Sequence, residues 1–198
     1  MTETETETDL PGRVRRAFAD HGSFEPAGGD GATASGDRAT ASDGRAAASA
    51  SSDGVDAAWT VETTPFDAEV RAEPAGDGRT RFAVTVRVPT LSAVTVDDVA
   101  DVVEEGWAET FELRVVDVGG VVRGDHDFDP LVAIGDEEIR VEFELTDINE
   151  RRGVDDAGAL VTFVEGTYVQ GVIPGYEYTE PVTGLLSSAR QQGNDGAF

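Results

Sequence analysis

The chain has 198 residues, with 40 Asp and Glu against 15 Lys and Arg, a formal net charge of −25, and no cysteine. Lack of cysteine excludes disulfides, thiolate chemistry and cysteine-ligated zinc or iron–sulfur centres. No apolar run approaches the ~20 residues that span a bilayer, and phosphate-neutralising contacts to nucleic acid need a basic face that only Arg13, Arg15 and Arg16 begin to supply.

All 15 basic residues are Arg. A Lys-free, strongly acidic composition is that of a chain selected for concentrated salt, because carboxylates hold water and ions whereas the apolar stem of Lys does not. The acid is concentrated where the chain has folding potential: residues 1–54 carry a net −5 and residues 55–198 a net −20. A solvated globular surface explains that bias better than an acidic tail. The opening MTETETETDL lacks the basic and apolar regions of a secretory signal, and RVRR runs into AFAD rather than an apolar stretch. A cytoplasmic location is expected.

Residues 1–8 read as a disordered tail. A short helix comes next, within 9–26: Asp9 is placed to cap it, Pro11 suits its first turn, Leu10, Val14, Ala17 and Phe18 share a face, and Gly22 ends it. Phe24 anchors the exit. Residues 27–54 contain almost only small and polar residues and read as a disordered low-complexity insert within one domain, because a helix this short must dock on the larger body of chain beyond the insert.

The main domain is expected over 55–190, with a disordered tail at 191–198. Trp59 and Val61 begin a strand. Phe66, Ala68, Val70 and Ala72 alternate with charged residues, as do Phe82, Val84, Val86 and Val88, and PAGDG at 74–78 joins these two strands. Thr95 with Asp98 reads as a capping box, with Val96, Val99, Ala100, Val103 and Trp107 after it at helical spacing. Phe111, Leu113 and Val115 predict a fourth strand; Ile139, Val141, Phe143 and Leu145 predict a fifth. A third helix from about Asp155 buries Ala157, Leu160, Val161, Val164 and Tyr168, and Val182 to Ala189 predicts a short fourth. The expected fold is α+β: one antiparallel sheet of about five strands with helices on one face, in the order α-β-β-β-α-β-β-α plus a short C-terminal helix.

GTYVQGVIPGYEY, residues 166–178, holds all three tyrosines. Tyr168 continues a buried stripe, Ile173 before a proline leaves helical geometry, and Pro174-Gly175 suits a type II turn. Tyr176 and Tyr178 then share one side of an extended segment. Two readings stand: aromatic rings closing the margin of a core, or Tyr168, Pro174, Tyr176 and Tyr178 lining a groove for a peptide or small ligand.

Catalytic patterns are sparse. The missing Lys excludes a P-loop lysine and Schiff-base chemistry, and neither a Gly-x-Ser-x-Gly elbow nor a dinucleotide-binding glycine motif occurs. His21, at the end of the first helix, suits the helix dipole. Asp125, His126, Asp127 and Asp129 in GDHDFDP form the most site-like group, with the one-three-five spacing of a calcium loop, but Pro130 stands where that loop needs Gly and Asp136 replaces its last Glu. This group is either a solvated loop or the basis of a metal-dependent or small-ligand enzyme module built on these four residues.

FVEGTYVQGVIPGYEYTEPV, with RVRRAF, TTPFDAEVR, VTVRVPTL and GWAETFELR, resembles a haloarchaeal family of unknown function, domain of unknown function 5813. The resemblance implies a saline cytoplasm and carries no activity, cofactor or site residues. The element order is similar to the type III secretion chaperone-like fold, which implies protein binding more than catalysis. The leading expectation is a non-enzymatic interaction domain without cofactor, contacting a protein or peptide through Gly166–Leu186, with no nucleic acid or membrane partner. Oligomeric state stays open.

Overall fold

The computed structural model describes residues 10–27 and 57–195. The expected tail at 1–8, the cap at Asp9, nearly all of the expected insert and residues 196–198 of the expected C-terminal tail lie outside them; residues 191–195 of that tail belong to a helix. The elements are α1 (Gly12–His21), β1 (Phe24–Pro26), β2 (Ala57–Val61), β3 (Asp67–Pro74), β4 (Thr80–Pro89), α2 (Asp101–Val116), β5 (Leu131–Ile134), β6 (Glu138–Asp147), α3 (Glu150–Gly171) and α4 (Val182–Asp195). The fold is α+β, with a single antiparallel sheet in the order β1-β2-β3-β4-β6-β5.

Among the described residues six strands replace the five expected, and three assignments differ. Phe111, Leu113 and Val115 belong to α2, not to a strand. β1 and β5 were not expected; β1 is made by the pairing of Phe24 with Val61, and β5 by the pairing of Leu131–Ile134 with β6. The element order therefore departs from the one on which the likeness to the chaperone-like fold rested. Thr95 does not cap a helix: α2 begins at Asp101 after Ala100, and the Thr95 hydroxyl donates to the carbonyl of Asp97.

Period-two patterning places Ala68, Val70, Ala72, Phe82, Val84, Val86, Val88, Ile139, Val141, Phe143 and Leu145 on one buried face. The opposite face carries cross-strand ion pairs, among them Asp67–Arg87 at 2.9 Å, Glu73–Arg81 at 2.8 Å and Arg81–Glu144 at 3.4 Å. The hairpin between β3 and β4 turns through positive φ at Gly76, Asp77 and Gly78, which two glycines accept without steric cost.

Helix α3 lies over β4 and β6 and packs against both α1 and α2. Its buried stripe includes the five expected residues and begins earlier, at Gly153 and Val154. A Cβ on Gly153 would sit 2.3 Å from the Phe82 ring, so hydrogen at this position sets how closely α3 approaches the sheet. Asn149 caps the helix by accepting from the Arg152 N–H at 3.0 Å. On the other flank, Phe18 of α1 stacks on Trp59 at 3.8 Å between ring centroids. Gly22 ends α1 in the left-handed conformation at φ 67°, as expected.

Candidate functional site

The tyrosine segment is folded onto itself and the domain. Helix α3 ends at Gly171, and Gly175 has φ 104°, the positive value that the second central position of a type II turn requires. Tyr168 is buried among the rings of Phe66, Trp107 and Phe111. Burial, with Tyr178 and the Glu104 carboxylate nearby, pushes its phenol well above the ordinary value.

The half-buried Tyr178 hydroxyl donates to the Ile173 carbonyl at 2.9 Å and accepts from the Ile173 N–H at 3.0 Å. This clasp closes the turn, and burial raises its phenol too, against the opposing pull of the Ile173 N–H. The backbone beyond it pairs with the 94–96 loop: Val96 N–H donates to Glu177, and Thr179 N–H to Val94. Tyr176 is half-buried and Pro174 exposed. Gly171 gives close approach not to another backbone but to Trp107, whose indole N–H donates to its carbonyl at 3.0 Å.

The loop from residue 117 to 130 gathers a second group. Asp125, Asp127 and Asp129 are exposed, while His126 and Phe128 between them turn inward. Phe128 meets Phe143 edge-on, 6.1 Å between centroids, and so pins the loop beside the sheet's apolar face. His126 Nε2 then lies 3.5 Å from Asp156 Oδ2 and 3.8 Å from Asp147 Oδ2. The loop therefore delivers one of the four residues singled out there, His126, to two carboxylates from elsewhere.

Both carboxylate side chains are only 1% exposed, against 11% for His126. Asp147 terminates the inward row of β6 in phase with Phe143 and Leu145. Asp156 occupies the buried stripe of α3 beside Ala157. Buried carboxylates need partners, and these have them. Asp147 accepts from Arg152 Nε at 2.6 Å, from a second Arg152 nitrogen at 2.7 Å and from the Asn149 N–H at 2.7 Å. Asp156 accepts from the Arg123 and Gly124 N–H groups at 2.8 and 2.9 Å.

Burial alone would raise the Asp147 carboxyl; the hydrogen bonds and positive charge of Arg152, with the Asn149 N–H and His126, outweigh it and hold the group below the usual range. Histidine Nε2 is the exception in this cluster. It is buried, and no hydrogen-bond partner reaches it among the described residues.

Sequence reasoning passed over Asp147 and Asp156, although a signal was present. Each is an acid in phase with an apolar row, one at period two and one at helical period. The other histidine, His21, stands in the last turn of α1 as expected, with Nε2 3.4 Å from Asp155. Among the described residues, no helix is long and apolar enough to cross a membrane.

A third feature is the sheet margin. Among the described residues β5 pairs with β6 alone, and its Leu131 and Ile134 are 57% and 51% exposed. At the other margin, β1 is three residues long and ends in Pro26, which blunts an edge because proline cannot donate to a ladder.

The family model of DUF5813, a family of unknown function, matches residues 42–188. No curated protein and no solved structure matches the chain.

Proposed function

The chain belongs to the DUF5813 family, and from that premise, which supplies no activity, we propose that it is a non-catalytic, salt-adapted interaction domain of the cytoplasm. The contact surface in this proposal is the β5 edge, not the tyrosine segment. One observation carries it: among the described residues nothing pairs with the outer side of β5, which has two apolar side chains more than half exposed and no Pro or charge among its four residues. Proteins ordinarily protect such edges, because unpaired backbone groups recruit further strands.

The tyrosine segment has less to offer a partner. Its backbone is paired with the 94–96 loop and the Tyr178 hydroxyl is occupied in both directions.

The occupant is an extended segment that adds to the sheet antiparallel or parallel to β5, with apolar side chains over Leu131 and Ile134 and basic residues at its ends. Exposed Asp127 and Asp129 on one side and Asp136, Glu137 and Glu138 on the other supply the complementary charge. In molar salt that attraction is screened, leaving backbone and apolar contacts to hold the complex.

The test uses the wild type and a Leu131→Asp, Ile134→Asp double variant as baits in concentrated KCl, with amide exchange then measured on whatever complex forms. Expected are a partner captured by the wild type and lost by a folded double variant, and slowed exchange at residues 131–134 in the complex. Equal capture by both proteins, or unchanged exchange at β5, would refute the assignment.

A further inference from the structure

We propose that His126 Nε2, Asp147 Oδ2 and Asp156 Oδ2 bind a divalent transition cation, with Zn2+ as the best match. The three donor atoms come from the 117–130 loop, the end of β6 and the second turn of α3, and all lie within 4.8 Å of one another. This inference rests on different residues from the β5 edge and is independent of it.

The distances decide between a cation and a direct hydrogen bond. Nε2 at 3.5 and 3.8 Å from the carboxylate oxygens is beyond the 2.7–3.2 Å range of N–H···O bonds. A tetrahedral zinc with bonds of about 2.0–2.2 Å holds its ligand atoms about 3.4 Å apart. The two nitrogen–oxygen spacings exceed that by at most a few tenths of an ångström, and with all three donors within 4.8 Å of one another side-chain rotations bring them to zinc distance.

The carboxylates are already oriented for the task. Asp156 is held by two backbone N–H groups and Asp147 by Arg152 and the Asn149 N–H. Two of these bonds fall on the proposed ligand atoms themselves, Arg152 Nε on Asp147 Oδ2 at 2.6 Å and the Gly124 N–H on Asp156 Oδ2 at 2.9 Å; ligating carboxylates are characteristically hydrogen-bonded as well. Gly124 leaves the space: a Cβ there would fall 2.2 Å from His126 Nε2.

Charge favours occupancy as well. Two buried carboxylates face one guanidinium, so a dication meets a net negative site, while neutral imidazole supplies the nitrogen. One imidazole with two carboxylates is a borderline donor set, suited to Zn2+ and less to Ca2+ or Mg2+, which take oxygen ligands in larger number.

The experiment is calorimetric titration of chelator-treated full-length protein with ZnCl2, and separately with CaCl2, in molar KCl to suppress loose binding by the 40 acids. The imidazole nitrogens of His126 are monitored by NMR in the same titration, with His21 as internal control. Expected are one saturable zinc site, no saturable calcium site, a shift of His126 Nε2 with His21 unmoved, and zinc affinity lowered on the order of 100-fold in His126→Ala. Absence of saturable zinc heat overturns the proposal, as does saturable binding that leaves His126 Nε2 unmoved. The NMR readout is made on the wild type, so the result stands even where the variant fails to fold.

Discussion

At the scale of single residues, three groups show how burial changes what a side chain does. Asp147 and Asp156 occupy positions that periodicity reserves for apolar residues, and each is kept there by several hydrogen bonds. Tyr168 shows the opposite case, a phenol held neutral by its aromatic surroundings. Because its folded pKa is raised, the stability it contributes is fully present below the unfolded value of about 10 and is lost as pH rises towards the folded value. The melting temperature should therefore fall above about pH 10, and Tyr168→Phe should fall less. Thermal melts of both proteins at pH 8 and pH 11 test this; an unchanged difference between them would show that Tyr168 does not titrate in that window.

At the scale of elements, α2 is the informative error. Phe111, Leu113 and Val115 alternate as a strand would, yet Phe111 and Val115 are also four apart and share one helical face. Leu113 points away: it is 66% exposed while Phe111 is 2% exposed. Exposed Val102, Leu113 and Val116 on the solvent side blurred the helical stripe. The two arrangements predict different mutant costs. In a strand with those residues on one face, Phe111→Ala and Leu113→Ala would both be severe. In the helix, Phe111→Ala should cost about 3–5 kcal/mol and Leu113→Ala within about 0.5 kcal/mol. Chemical denaturation of the two variants in concentrated salt distinguishes them. β1 and β5 were missed for another reason: three or four residues carry too little pattern, and only the neighbouring strand makes them strands.

At the scale of the whole molecule, net charge dominates the dependence on solution conditions. A folded chain at −25 repels itself, and the surface pairs that link α1 to α3, such as Asp20–Arg151 at 3.1 Å, offset little of that because exposed pairs contribute about 0–1 kcal/mol each. Screening at 1 M salt shortens the Debye length to about 3 Å. Raising KCl from dilute to molar should therefore raise the melting temperature, and a melting temperature indifferent to KCl would count against salt adaptation.

What the sequence by itself determined were the features set by local repetition: the strands of period two, the buried stripe of α3, the stop at Gly22, the turn at Pro174-Gly175, and the acidic, Lys-free surface. What only the tertiary structure decided were the features made by residues distant in the chain. His126 meets Asp147 and Asp156 because Phe128 pins the loop against Phe143, and β5 is an edge because nothing described pairs with its far side. Periodicity assigns a residue to a face of its own element; which faces meet depends on how the elements pack.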